Sequence, residues 1–497
     1  MKGKVILKKI GIGIITTALL LSQPMQMVYA EEGNNPEATE EAADANLEEK
    51  TKEQIAAEEA AKKQASYDTP VDTNALENWP TGPNVYAASA IVMDIDSGAV
   101  LYGKQIDEKR YPASITKLLT VLVALENANL TDKITFTDEC LNFLEWDDAN
   151  IGMRVGEEIT LEEALYGVLL ASANEVSYAV AKNVGENLGI GYDGFIELMN
   201  ERAQELGCKN SHWVNVNGLH DENHYTTAYD MAMIARGCYN NSTFVNIDST
   251  EDTYTIGPTN LTGESRTFRH RHQMLKGRPM YYEYCKGGKT GFTDQSGFTL
   301  VTFAEKNDMR LICVVFNCSD SNIRFTDTRT LFDWGFDNFK KITASSDTIS
   351  SYFSGSNYYQ SAVYSRYPEN FSLSASTLTI PNHANVSNIT LAVNENYTPE
   401  EIDNAYTTGI RFKYGDNTVA TSLLTFSKGT AHTDNRLPYL SQDADTETVQ
   451  PRWCFSISIW VIVAVFAAVV ILICFIRDYQ MSRRRSLHAR RHHRRRR

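Results

Sequence analysis

A serine hydroxyl is a poor nucleophile unless a base stands beside it. The segment Tyr111-Pro112-Ala113-Ser114-Ile115-Thr116-Lys117 puts a lysine three residues after a serine. Apolar Ile115, Leu118, Leu119 and Leu122 follow helical spacing, so a buried helix begins here with Pro112 at its start. Residues three apart share a helix face, which sets the Lys117 amine beside the Ser114 hydroxyl. A lysine amine serves as a base when burial or a second cation lowers its pKa. The free N–H groups of a helix start also suit a developing oxyanion. Alone the pattern is weak, because a helix start with a surface lysine reads the same.

Two further segments carry polar groups of the same kind. Thr160 and Glu163 form a capping box that opens a helix through Leu161, Leu165, Val168 and Leu169. That helix runs into Ser172-Ala173-Asn174, which stands before a second apolar helix over Val176 to Val180. A hydroxyl and an amide between two buried helices can project into a cleft, and a helix-capping serine is an equal reading. The third segment is Lys286-Gly287-Gly288-Lys289-Thr290-Gly291-Phe292-Thr293, whose glycines permit close approach of backbone or ligand. Strands over Gly297 to Ala304 and Met309 to Phe316 follow it, so the bland reading is a hairpin opening with an exposed lysine. A phosphate loop does not fit, because the first glycine is missing at the needed spacing and a strand follows, not a helix.

The elements around these segments outline a layout. Ala90 to Ile95, the turn Asp96-Ser97-Gly98 and Ala99 to Tyr102 read as an early hairpin. Helical patterns fill the middle. Later, Phe371, Leu373 and Ala375 alternate with serines. Ile410, Phe412 and Tyr414 alternate with Arg411 and Lys413, and Gly415-Asp416-Asn417 turns the chain back into Val419 to Phe426. Period two with turn signals describes half-buried strands, so residues 342–440 are expected to be a small β-rich domain.

The ends suggest a location. Four lysines, an apolar stretch from Ile10 to Leu21 and Val28-Tyr29-Ala30 make residues 1–30 read as a signal peptide. Residues 31–83, rich in Glu and Ala at their start, read as an acidic disordered spacer with at most a transient helix over Ala45 to Lys63. After a linker at 441–453, Cys454 to Ile476 run uncharged, at about 1.5 Å per residue long enough to cross a bilayer. The tail 477–497 holds ten arginines and one aspartate. Positive charge stays on the cytoplasmic side, so the body is expected outside a bacterial cell membrane and the tail inside. With a net charge of −15 and basic ends, residues 31–476 carry −28. So acidic a body argues against a nucleic-acid partner.

Other reactive side chains read as structural. His220 and His224 are four apart in a polar loop without a third ligand, and a hydrogen-bonding role is favoured over a metal. There is no CxxC, and the six cysteines outside the apolar run read mostly as free, buried thiols. Cys285 near the third segment reads as a packed thiol. Neither a metal nor a cofactor is implied.

Taken in order, the three segments match the SxxK, S-x-N and KTG motifs of serine acyl-transfer enzymes that bind β-lactams. With "YPASITKLLT", "TLEEALYGVLLASANE", "ELGCKNSHWVNVNGLH", "YTTAYDMAMIA" and "GGKTGFT", the chain resembles the serine-type D-alanyl-D-alanine carboxypeptidases, the low-molecular-mass penicillin-binding proteins. The resemblance covers roughly residues 84–341. It implies an α/β (α+β) class and a β-lactamase/transpeptidase-like catalytic domain, with peptidoglycan stem peptides as substrate and β-lactams as inhibitors. It implies Ser114 as nucleophile, Lys117 as its base and Ser172 as a proton relay. Asn174 holds the substrate amide or Lys117. Lys289, Thr290 and Gly291 line the substrate strand, and Arg324 faces the terminal carboxylate with Lys289 and Thr290. The backbone N–H groups of Ser114 and Phe292 form the oxyanion hole. Lys286 and Gly288 depart from the family, where an acidic and a bulky aliphatic residue are common. Two other readings share the motifs: a β-lactamase, whose second carboxylate Glu197 and Asn200 would suggest although Phe195, Ile196, Met199, Ala203 and Leu206 make that stretch read as an ordinary helix, and a non-catalytic wall receptor.

Overall fold

The computed structural model describes residues 52–344, most of 371–427, and residues 469, 471–477 and 479. The expected signal peptide, the linker 441–453, almost all of the arginine-rich tail and most of the apolar run 454–476 lie outside the described residues. Residues 471–477 are helical, and among the described residues no helix is long and apolar enough to cross a membrane.

The spacer boundary needs correction. Within 31–83, helix α1 spans Lys52–Asp68 and a short 3-10 turn spans Asp72–Ala75. Two anchors missing from a composition count hold this stretch. Lys104 is fully buried, and its Nζ donates to the carbonyls of Ser66 at 2.6 Å, Val85 at 2.8 Å and Ala87 at 2.9 Å. Tyr67 packs on Tyr86 with ring centroids 4.7 Å apart.

The chain divides into two compact units. Among the described residues the first comprises 52–75, 81–93 and 101–337, and its frame is a five-stranded sheet. Strand β1 is Ser89–Asp94, β2 is Val100–Lys104, β3 is Cys285–Thr293, β4 is Gly297–Lys306 and β5 is Met309–Cys318. Their order is β2-β1-β5-β4-β3, so strands from both ends of this unit meet at the centre. β3 with β4 and β4 with β5 are antiparallel. The glycine-rich segment is therefore the edge strand itself, not merely the opening of the hairpin after it.

Leu311 to Phe316 are all buried, as expected of a strand covered on both faces. On one face Phe303, opposite Ile312, stacks on Tyr239 of helix α5 (Ala228–Tyr239). On the other, Cys313 Sγ lies 3.9 Å from Thr328 Oγ1 of helix α6 (Ile323–Asn338). Helix α2 (Lys117–Asn127) joins the first face, where Cys238 Sγ of α5 donates to the Leu118 carbonyl. Helix α3 (Leu161–Tyr166) starts with the expected capping box, Thr160 Oγ1 accepting from the Glu163 N–H. It passes into a π-helical turn at Gly167–Ala171, and helix α4 begins at Asn174.

Among the described residues the second unit comprises 76–80, 94–100 and those from 338 onward. Strands Ala405–Tyr414 and Asn417–Ser427 form an antiparallel hairpin about Gly415, and Ile389–Val393 and Phe371–Leu373 flank it. Phe339–Thr343 pairs with Thr377–Pro381 in a separate ribbon. Trp79 fills the space beside Phe339, with centroids 5.1 Å apart, and Lys341 pairs with Asp96.

Lys104→Met would leave three carbonyls without their donor while keeping most of the side-chain volume. It should lower the unfolding free energy by about 3 kcal/mol, measured by denaturant titration. A loss under about 1 kcal/mol would show that α1 and the 85–87 segment are held by other contacts.

Candidate active site

The three polar segments converge on one cleft of about 860 Å³, whose walls include Ser114, Ser172, Asn174, Thr290, Gly291 and Arg324. Ser114 lies in a 3-10 turn, Ala113–Thr116, immediately before α2. Ala113 has φ +50, a left-handed conformation that side chains adopt only at a cost of about 1–3 kcal/mol. A buried chain of hydrogen bonds holds it. The Val214 N–H donates to His224 Nδ1 at 3.1 Å, which puts the proton on Nε2. That N–H meets Thr116 Oγ1 at 2.8 Å, and Thr116 donates to the Ala113 carbonyl at 2.8 Å. Burial pushes the His224 pKa down to about 3, so the imidazole stays neutral in this role. Its neighbour His220 packs edge-on against Tyr111 at the cleft. Among the described residues no group of His, Cys, Asp or Glu is placed to hold a metal.

Lys117 has no solvent exposure. Its Nζ lies 3.0 Å from Ser114 Oγ, 2.8 Å from Asn174 Oδ1 and 2.5 Å from the Asn217 carbonyl. A neutral amine has two N–H groups and one lone pair. The two carbonyl oxygens, which can only accept, match the two N–H groups and leave the lone pair for the Ser114 hydroxyl. Burial, then the positive charge of Arg271, lowers the Lys117 pKa to about 7. Asn174 is oriented from its other end, its Nδ2 donating to Asp148 Oδ1 at 3.0 Å. Two glycines make these approaches possible. At Gly218, with φ +83, a Cβ would run into the Ala113 carbonyl, and at Gly291 it would run into Thr299 Oγ1 and reach 3.0 Å from the Ser114 nitrogen.

Lys289 is also buried, and its Nζ donates to Ser172 Oγ at 2.9 Å and to the Thr290 carbonyl at 2.8 Å. Burial, then Lys117 and Arg271, pushes its pKa well down. Ser172, at φ 64, ends the π turn, and this backbone reversal turns its hydroxyl to the lysine. Arg324 lines the cleft, but its guanidinium is engaged with the carbonyls of Gly291 at 3.0 Å, Thr299 at 3.3 Å and Ser321 at 3.1 Å. Phe292 stands exposed on the rim, stacked on Phe298 with centroids 4.4 Å apart.

Asp148, the Asn217 carbonyl and Arg271 also belong to this site, and sequence reasoning missed them. Their positions have no fixed offset from the motifs, so no spacing reveals them. Glu197 and Asn200 lie on the helix Gly191–Glu205, and the Asn200 side chain is engaged with backbone at Ile196 and Trp213. The cysteines are free among the described residues, and burial raises the Cys285 pKa to about 12, an inert thiol.

Residues 76–320 match the family described as D-alanyl-D-alanine carboxypeptidase. The chain is 30% identical over 259 residues to the D-alanyl-D-alanine carboxypeptidase DacF of Bacillus subtilis, covering 51% of this chain and 63% of that protein. It is 31% identical over 280 residues to DacC of Escherichia coli, covering 54% and 66%. The match thus spans less than two thirds of these relatives' length. The crystal structure of a Streptomyces DD-transpeptidase is 28% identical, with a TM-score of 0.48, over 52% of this chain and all of that one.

The depressed Lys117 pKa has a sign that can be read. The amine is protonated below about pH 7 and free above it. The rate of Ser114 acylation by a small serine-directed reagent should therefore rise about tenfold per pH unit below 7 and level off above it. The unfolded chain keeps this proton to about pH 10.4, so the same shift makes stability rise with pH between the two values. A flat acylation profile from pH 5 to 9, measured by stopped-flow, would remove Lys117 as the base.

Proposed function

The chain belongs, through residues 76–320, to the D-alanyl-D-alanine carboxypeptidase family, and on that premise we propose that it removes the terminal D-alanine from peptidoglycan stem pentapeptides. The observation that carries the reading is the buried Lys117 amine, 3.0 Å from Ser114 Oγ, with its N–H groups occupied by two carbonyl oxygens. Ser114 Oγ attacks the carbonyl carbon of the penultimate D-Ala while its proton passes to Lys117 Nζ. The N–H groups of Ser114, at a helix start, and of Phe292, on the edge strand, face the developing oxyanion. Each such donor is typically worth about 100- to 1000-fold in rate. Ser172, polarised by Lys289, relays a proton to the leaving amine. The C–N bond breaks, D-Ala departs, and an ester to Ser114 remains. Water hydrolyses that ester with Lys117 again as the base. Lys289 and Thr290 hold the terminal carboxylate, and Arg324 adds positive field from behind Gly291. Asn174 keeps Lys117 and the substrate amide in register. A β-lactam would enter by the same attack and acylate Ser114.

In this reading the first unit is a β-lactamase/transpeptidase-like catalytic domain, and the strands within 371–427 form a separate β-rich domain. The acidic body faces outward from a bacterial membrane, tethered by the apolar run 454–476 with the arginine tail inside. The uncharged length of that run and the charge that follows it support the tether.

Ser114→Ala should abolish both D-Ala release from a pentapeptide ending in D-Ala-D-Ala and labelling by fluorescent penicillin. Lys117→Ala should slow acylation by about 100- to 10,000-fold with much less effect on initial binding. Covalent label on the alanine variant at position 114 would reject the nucleophile.

A substrate amidated at its terminal carboxylate should lose most turnover, because Lys289 then has no anion to meet. Equal turnover of acid and amide would favour endopeptidase action.

A further inference from the structure

A second cavity of about 530 Å³ adjoins the catalytic cleft and shares Arg271 and Gln273 with it. Arg269, His270 and Arg278 complete its polar wall. Three arginines thus line one space, two of them close enough for their charges to interact, and among the described residues none of the three forms an ion pair with a carboxylate. Arg266, on the same strand as Arg269, shows the ordinary alternative by pairing with Glu157 at 2.8 Å. Arg278 feels the cluster, its acidity raised by burial and then by Arg269. Like charges held together without a counter-charge repel one another, and this happens in a body carrying −28, where acidic partners are plentiful. An arrangement of this kind is relieved by an anionic ligand, and guanidinium groups suit carboxylates through paired N–H donors.

The cavity's place in the fold says which part of a ligand would reach it. The Arg271 N–H donates to the Leu170 carbonyl at 3.1 Å, which fixes Arg271 beside the turn ending in Ser172. Its charge acts on both Lys289 and Lys117. One edge of the cavity therefore lies beside the turn that carries Ser172, whose hydroxyl meets Lys289 and protonates the leaving amine in the reaction proposed above.

We propose that the Arg269–Arg271–Arg278 cavity is a subsite for an anionic group on the leaving half of the substrate, so that the chain cleaves peptides whose terminal D-residue carries a side-chain carboxylate. This rests on the carboxypeptidase reading. The bond changes are the same: the ester to Ser114 forms as the C–N bond breaks, and the departing amine, now of a dicarboxylic amino acid, takes the relayed proton.

Three pentapeptides differing only at the last residue test it on the full-length protein in detergent: D-Ala, D-Glu and the neutral isostere D-Gln. In the native chain kcat/KM for D-Glu should exceed that for D-Gln by about tenfold, the scale of one or two charge-assisted hydrogen bonds. Added salt should shrink the ratio, because these arginines are partly exposed. The double variant Arg269→Gln/Arg278→Gln should bring the ratio to about one while changing D-Ala turnover by less than about twofold, the latter also serving as the folding control. A ratio of one in the native chain, or a ratio unmoved in the variant, would overturn the subsite with carboxypeptidase activity intact. Inhibition of D-Ala release by inorganic phosphate, lost in the variant, together with a D-Glu to D-Gln ratio of one, would assign the cavity to a free anion and overturn the leaving-group assignment. Failure of the native chain to release D-Ala would instead overturn the underlying reading, and the subsite with it.

Discussion

The site depends on a single amine kept dry. Lys117 has no contact with water, and its nitrogen reaches only a hydroxyl, an amide oxygen and a backbone carbonyl. A charged ammonium in such a place loses its hydration, and the nearby Arg271 makes the charge less welcome still. The amine is pushed toward the neutral form that a base requires. Asp148 and Glu175 oppose the shift as anions, which keeps the amine within reach of neutral pH.

Several structural features follow from positioning that nitrogen. Asn174 has its amide fixed at both ends, by Lys117 and Asp148. The Asn217 carbonyl reaches the amine only because Gly218 lets the loop press against Ala113. Ala113 in turn sits in a left-handed conformation next to the nucleophile, held by the Thr116–His224–Val214 relay. Local strain at the serine is balanced by hydrogen bonds that are themselves buried, where an unmade bond is expensive. Edge strand β3 then closes the other wall, brought within van der Waals reach of the Ser114 nitrogen by the bare backbone of Gly291.

The second buried lysine extends the same logic. Lys117 lowers the basicity of Lys289, and Arg271 acts on Lys289 as it does on Lys117. A cleft that sets Arg271 and Arg324 on its walls beside Lys289 is prepared for a negative ligand before one arrives, and this preorganisation is worth more in a water-poor site than on an open surface. Placing that positive cleft in a strongly acidic chain also concentrates the positive potential at the site.

Much of this was legible in the sequence. The Ser114–Lys117 pairing follows from helical periodicity, and the 3.0 Å contact bears it out. The capping box at Thr160–Glu163 and the early hairpin at 89–104 are local patterns, set by residues within a few positions of one another. Other features were not legible because they depend on partners far away in the chain. Asp148, the Asn217 carbonyl and Arg271 reach the site from loops whose lengths no motif constrains. Lys104 draws residues 52–87 into order through three backbone carbonyls, groups that every residue carries and no composition count can distinguish. The sequence by itself determined which side chains have the chemistry to act and which neighbours share their local element. Only the tertiary structure decided which of them lose their water, because burial is set by every segment that packs around a group, and it is burial that turns an ordinary lysine into a base.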